Sequence, residues 1–265
     1  MDNRGSKTTR WWEFHHDWKE GGGEVIEEST LTIYVNGVEF LSIMGTPLNQ
    51  DWLAVGFLRN EGIISSLEDV RELKVTPEGC CIDVWLTKDV QLPEKMVITS
   101  GCGSGRTRDD QISPEQPFSM EDRTSPELVL RAFSKLQTKD SLYARSRGVH
   151  AAGLMDMDSG EILQVAEDVG RHNAIDKLQG ACLMKEIPTR GRALLTTGRI
   201  SSEMLRKGAM MGCPLIASRT SPTTTAVDLA QEWQISLVGY ARQGKLRVYC
   251  FPERLGWNPD DSPVG

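Results

Sequence analysis

The chain has 265 residues, 25% of them charged and 39% hydrophobic, with a formal net charge of −7. That excess of carboxylates argues against broad nucleic-acid binding, although local arginine clusters could still grip an anion. No apolar stretch approaches the roughly 18 residues of a membrane helix, and the opening MDNRGSKTTRWWEFHHDW lacks the apolar core of a signal peptide. A cytoplasmic chain with reduced thiols is therefore expected.

Residues 1–27 are polar, contain the run EGGGE and read as a loose lead-in. His15 and His16 there are expected to face solvent, and Trp11, Trp12, Phe14 and Trp18 to pack on the body or on a partner. A smaller N-terminal α+β portion follows over 28–108. It opens with STLTIYVNGVEFLSIM, whose alternation around Asn36-Gly37 is a hairpin signal. TPLNQDWLAVGFLRNEG reads as a helix that starts near Pro47 and stops at Gly62. VRELKVT, CCIDVWLT and KMVITS are strand candidates, the last running straight into GCGSGR.

A polar connection over 109–124 leads to an α/β domain over 125–257 and a short tail, 258–265. The domain starts with a helix carrying Ser125 as N-cap and Pro126 in its first turn. Strands GVHAAGLMD and EILQVAEDV then flank a turn at Asp158-Ser159-Gly160. Helix NAIDKLQGACLMKE, strand RALLTTG, helix SSEMLRKGAMMG, strand PLIASRT, helix TTAVDLAQEWQ and strands SLVGYAR and LRVYCF complete it. Strands separated by helices of this length predict a mostly parallel sheet covered on both faces.

In an open α/β sheet, ligands bind outside the carboxyl ends of the strands. Four segments occupy such positions: 167–173, 196–202, 218–224 and 240–245. They supply Arg171, His172, Arg199, Ser201, Arg219, Arg242 and Lys245, several beside the starts of helices. Helix N-termini bind phosphate through unpaired N–H groups, and arginine adds a planar fork suited to phosphate or a purine edge. A phosphate-bearing ligand is expected. His150, beside small apolar residues, reads as an interior histidine.

The six cysteines contain no CxxC pair. Cys182 and Cys213 lie in apolar surroundings and read as small buried hydrophobes, and Cys80, Cys81 and Cys250 receive no role. Cys102 is different: it stands among glycines, with Arg106 and Arg108 close enough to favour the thiolate and Asp109 and Asp110 opposing them. A reactive thiol on a Gly-rich loop suits a group carrier.

The blocks GCGSG, GVHAAGL, AEDVGRHNAIDKLQGA, TTGRISSEM, ASRTSPTTTAVDLA and LVGYARQGKLRVYCFPERL together resemble the FdhD family of formate dehydrogenase accessory proteins, over roughly 28–257. The resemblance implies a sulfur carrier and sulfurtransferase. It would accept sulfur from an IscS-like cysteine desulfurase as a persulfide. The acceptor would be the molybdenum cofactor, bis-molybdopterin guanine dinucleotide, before its insertion into formate dehydrogenase. It further implies a cytidine deaminase-like three-layer C-terminal domain, a homodimer, and GDP as an analogue of half the cofactor. Cys102 matches the persulfide-bearing cysteine. Tyr240, Ala241, Arg242, Gln243, Gly244 and Lys245 match the cofactor-binding stretch, to which the strand-end loops add Arg171, His172, Arg199, Ser201 and Arg219. One departure is Gly105, where relatives often carry a second loop cysteine, so sulfur exchange between two cysteines of that loop is not available.

Two rivals remain in view. A zinc deaminase needs HxE and PCxxC, but the chain has HAA and CPLIAS, so neither zinc nor deamination is expected. A non-catalytic binding chaperone for the guanine dinucleotide cofactor would need the same anion-binding loops, and only Cys102 separates it from a carrier.

Overall fold

The computed structural model describes residues 5–76, 79–89, 96–98 (backbone only), 117–258 and 260. The expected loose lead-in is instead an antiparallel ribbon, β1 (Ser6–His15) paired with β2 (Asp17–Ile26). Glycines that would leave a strand bare are covered by one ring: a Cβ on Gly21 or Gly23 would lie 2.6 or 2.7 Å from the Trp11 indole. Phe14 and Trp18, directly opposed, pack with ring centroids 5.1 Å apart and a tilt of 52° between the rings. Cross-strand aromatic contacts of this kind stabilise pairing where propensity alone would not.

The hairpin β3 (Ser29–Val35) and β4 (Val38–Gly45) turns at Asn36 and Gly37, both at positive φ as a type I′ turn requires. Helix α1 (Gln50–Asn60) follows, then β5 (Val70–Val75), β6 (Cys81–Leu86) and β7 (Met96–Ile98). The strands order β5-β6-β3-β4-β7, with β3 and β6, and likewise β4 and β7, parallel. One face of this sheet buries Leu31, Ile33, Ile43, Ile82 and Val84 against Leu53, Phe57 and Leu58 of α1. Each such aliphatic side chain taken from water contributes about 1.5–3 kcal/mol.

After α2 (Pro126–Lys135), capped by the Ser125 hydroxyl, comes α3 (Leu142–Ser146), a single short turn with no counterpart in the sequence expectations. The remaining elements are β8 (His150–Met155), β9 (Ile162–Asp168), α4 (Arg171–Met184), β10 (Ala193–Thr196), α5 (Ser202–Met210), β11 (Leu215–Ser218), α6 (Thr224–Glu232), β12 (Ser236–Arg242) and β13 (Lys245–Cys250). Their sheet, ordered β9-β8-β10-β11-β12-β13, is mixed rather than mostly parallel. Of its neighbouring pairs only β10–β11 and β11–β12 are parallel, while β8–β10 is antiparallel and β8–β9 and β12–β13 are hairpins closed at Gly160 and Gly244, both left-handed. Side chains alternate between two cores. Ala152, Leu194, Ile216 and Leu237 face α4, α5 and α6, and Ala151, Leu195, Ala217 and Val238 face α2.

Helices α1 and α4 join the two sheets at very close range. A Cβ on Gly56 would fall 1.8 Å from the Asp176 carbonyl oxygen, and one on Gly180 would fall 1.9 Å from that of Trp52. Only glycine permits this backbone approach. No helix among the described residues is long and apolar enough to cross a membrane.

Candidate functional site

Because β8 runs opposite to β9, β10, β11 and β12, the carboxyl ends of the last four share one edge of the sheet. The loops leaving them are tied into a rim by main-chain bonds. Thr197 N–H donates to Ala151 O (3.0 Å), Arg219 N–H to Thr196 O (3.2 Å), Thr223 N–H to Ile200 O (2.9 Å) and Tyr240 N–H to Thr220 O (3.0 Å). Ser218 Oγ adds a bond to Gly198 O at 2.6 Å. The rim is therefore a built surface rather than four independent loops.

Arg171 and His172 form the first turn of α4, whose N-cap, Gly170, offers no side-chain cap. The N-termini of α5 and α6 are by contrast already engaged, by Ser201 bonding Met204 N–H and by Thr223 bonding Ala226 N–H. The Arg171 Nε is buried and has no hydrogen-bond partner. An orphaned cationic donor beside an open helix N-terminus has the donor chemistry of a phosphate site. Gly198 packs directly on Arg171, a Cβ there lying 2.7 Å from the Arg171 Cβ.

His172 Nε2 lies 3.4 Å from Ser201 Oγ and 3.5 Å from Glu203 Oε2, linking the α4 and α5 starts. Burial first, then the positive charges of Lys207 and Arg171, push its pKa down to about 4. At neutral pH it is an uncharged imidazole, a donor or acceptor rather than a cation. His150, expected to be interior, is partly exposed at the same rim opposite Asp168, and burial followed by Arg171 lowers its pKa also.

At the far end of the edge, the β12–β13 hairpin forms a cleft of about 180 Å³ lined by Tyr240, Arg242, Gln243, Lys245, Leu246 and Arg247. Tyr240 and Gln243 both take positive φ, a conformation that costs a non-glycine residue and concentrates at ligand sites. The Arg247 guanidinium stacks 4.4 Å from the Tyr240 ring, and Arg242 lies 5.9 Å from it. Arg242, Gln243, Gly244 and Lys245 are exposed, whereas Ala241 is buried against α2 and contributes backbone only.

The expected residues divide. Arg171, His172 and Ser201 come together, Arg199 stands exposed on the same loop, and Tyr240–Lys245 line their own cleft. Arg219 departs from the expectation of a free anion-binding fork. Its Nη1 donates to Gln137 Oε1 (2.5 Å) and its Nη2 to Phe133 O (2.8 Å), so it fastens the β11 loop to the end of α2. Cys102, together with Gly105, Arg106 and Arg108, lies outside the described residues.

Sequence reasoning missed the charges behind His172. Lys207 is fully buried, bonds both oxygens of Asp176 at 2.8 Å and approaches Glu61 Oε1 at 3.8 Å. A signal was present: Lys207 follows Met204 by one helical turn on the face that carries the apolar residues of α5. Among the described residues no group of three or more His, Cys, Asp or Glu side chains is placed to hold a metal ion.

Comparison with known proteins places these features in context. A model of the FdhD/NarQ family matches residues 26–256. The chain is 38% identical over 237 residues to the sulfur carrier protein FdhD of Staphylococcus haemolyticus (strain JCSC1435), covering 87% of this chain and 89% of that one. It is 34% identical over 238 residues to the sulfur carrier protein FdhD of Bacillus licheniformis, covering 88% and 90%. Among solved structures, a protein assigned as a formate dehydrogenase accessory protein from Desulfotalea psychrophila superimposes with a TM-score of 0.77 at 28% identity. That match covers 94% of this chain and 99% of the other.

Proposed function

The chain belongs to the FdhD/NarQ family, and on that premise we propose that it is a sulfur carrier acting as an accessory protein of formate dehydrogenase. In this proposal Cys102 accepts sulfur from a cysteine desulfurase as a persulfide. The rim from Arg171 to Lys245 holds the acceptor, bis-molybdopterin guanine dinucleotide, before formate dehydrogenase receives it. Donor, acceptor and carrier meet in the cytoplasm, and the carrier works as a dimer. The cytidine deaminase likeness of residues 125–257 belongs to the same proposal, supported by the strand order and by helices on both faces of the sheet.

One observation carries the sulfur chemistry. Three of the six cysteines are removed from it by burial, since Cys182 is held up to about 12 and Cys213 and Cys250 are also raised, all by desolvation first. A thiol that stays protonated is a poor nucleophile. That argues against these three, and of Cys80, Cys81 and Cys102 only Cys102 stands in a glycine-rich loop, which supports its assignment as the carrier.

The acceptor is cargo, and the rim's chemistry fits it. The orphaned Arg171 Nε, the uncapped start of α4 and the exposed Arg242 and Lys245 offer donors to a diphosphate.

The deciding experiment incubates the full chain with a cysteine desulfurase and cysteine, followed by peptide mass spectrometry. A dithiothreitol-removable sulfur, roughly 32 Da, is expected on the Cys102 peptide, and Cys102→Ala is expected to abolish formate dehydrogenase maturation in a deletion strain. Full complementation by Cys102→Ala would favour the non-catalytic binding chaperone instead.

A further inference from the structure

Cys80 and Cys81, to which the proposed transfer gives no part, form a vicinal dithiol with Sγ atoms 3.8 Å apart. Cys80 is exposed and Cys81 half-buried, and neither is in a disulfide. The pair is held firmly rather than carried on a loose turn. Cys80 O accepts from Thr32 N–H at 2.8 Å, Cys81 O from Thr76 N–H at 3.0 Å, and Cys81 N–H donates to Thr76 Oγ1 at 3.2 Å. The same Thr76 hydroxyl stands 3.8 Å from Cys80 Sγ, close enough to donate to a sulfur anion. Left-handed Gly79 makes the tight turn that brings Thr76 and the two thiols together.

The position of the pair in the sheet matters as much as its chemistry. Cys81 pairs with Thr32, Thr32 with Ser42, and Ser42 with Val97, a single row across four strands. Three strand spacings amount to about 14 Å. Cys102 follows Val97 by five residues, a tether whose full length is at most about 18 Å. A tether of that length is long enough to span the row, so chain length permits the dithiol to meet the carrier cysteine, which lacks its customary loop partner at Gly105.

We infer that Cys80–Cys81 is a second sulfur station, taking sulfane sulfur from Cys102 and holding it as a persulfide. The inference rests on the carrier reading. In the transfer, the Cys80 thiolate attacks the outer sulfur of the Cys102 persulfide. That S–S bond breaks as the new one forms, Cys102 leaves as thiolate, and the outer sulfur keeps its proton. Oxidation states are unchanged in sum, so no external oxidant or reductant is needed.

Discharge is the competing step, in which Cys81 attacks the inner sulfur of the Cys80 persulfide, releases hydrosulfide and leaves a Cys80–Cys81 disulfide. Adjacent residues oppose it. Their Cα atoms are 3.8 Å apart across a trans peptide, and disulfides ordinarily need about 4.4 Å or more. The strained product is disfavoured, so a vicinal pair retains sulfur that a CxxC pair would lose.

The test loads full-length protein with a cysteine desulfurase and cysteine, alkylates it and maps dithiothreitol-removable sulfur. Wild type is expected to carry it on both the Cys102 peptide and the tryptic peptide 75–88. Cys80→Ser is expected to lose it from 75–88 and keep it on Cys102. Cys102→Ala is expected to lose it from both, yet to load 75–88 when given glutathione persulfide, which reaches an exposed thiol directly. Sulfur on Cys102 with none on 75–88 overturns the second station and leaves the carrier intact. Sulfur on 75–88 in Cys102→Ala with the desulfurase alone overturns the relay. Sulfur on neither peptide defeats the carrier reading itself.

Discussion

Helix α4 faces two regions that use the same residue types in opposite ways. Along the seam with the N-terminal half, every charge is answered: Lys177 Nζ meets Asp168 Oδ2 at 2.6 Å and Thr46 O at 2.9 Å, and Asp176 holds Lys207 and Asn60. Asp168 also receives Thr46 N–H, Gly170 N–H and Asn173 Nδ2. At the rim, one turn away, Arg171 keeps an unanswered buried donor, and Arg199, Arg242 and Lys245 point to solvent. A buried network whose charges are paired fixes how two halves sit together. An unsatisfied cationic edge waits for something to satisfy it. The pattern EDVGRHNAIDK is therefore two patterns interleaved at helical spacing.

The contrast is most easily broken at Asp176. Asp176→Ala leaves Lys207 buried with only Glu61 at 3.8 Å, and removing one member of a buried pair costs about 3–5 kcal/mol. Urea unfolding should show that loss. Asp176→Leu combined with Lys207→Met and Glu61→Gln should recover much of it, because the triple change leaves no charge stranded. Arg171→Ala, at the rim, should shift stability by no more than about 0.5 kcal/mol. If Arg171→Ala proved as destabilising as Asp176→Ala, the division between seam and rim would be wrong.

Most of the C-terminal domain was legible because its helices announce themselves through caps and its strands through apolar runs between them. Ser125 caps as its sequence position suggests, and Ser201 and Thr223 cap α5 and α6 in the same way. What sequence hid was direction. Two hairpins make the sheet mixed, and nothing in an apolar run reports whether its neighbour is parallel. The β1–β2 ribbon was hidden for another reason: EGGGE has no strand propensity, and Trp11 on the opposite strand supplies the cover. At the site, the cationic loops were legible but their occupancy was not. Arg219 and Arg171 look alike in sequence, and only the nearness of Phe133 O and Gln137 consumes the first.

That difference predicts ligand binding of graded size. GDP should bind the rim, and Arg171→Ala or Arg242→Ala should each weaken it about tenfold, the loss of one charge-assisted hydrogen bond of about 1.5 kcal/mol. Arg219→Ala should leave GDP affinity nearly unchanged and lower the unfolding midpoint instead, since its fork holds α2. Calorimetry beside urea unfolding separates the two. Equal losses of GDP affinity for Arg171→Ala and Arg219→Ala would show that the α2 contact opens when ligand arrives.

The smallest expected effect comes from protons, because seam and rim pull in opposite directions. Burial, outweighing Lys207, raises Glu61 in the seam from 4.5 to about 7. The folded state then holds the proton that the unfolded chain releases, so this contribution is complete below pH 4.5 and is lost as pH rises through 7. His172 at the rim is lowered from 6.5 to about 4. There the unfolded chain binds the proton first, so the contribution is complete above pH 6.5 and is lost as pH falls toward 4. Between pH 4.5 and 6.5 the two nearly cancel, and the wild-type melting temperature should be almost flat. Glu61→Gln removes one side, leaving a melting temperature that climbs with pH across that window. His172→Gln removes the other, leaving one that declines toward pH 7. Parallel curves for wild type and both variants would mean that neither proton is coupled to folding.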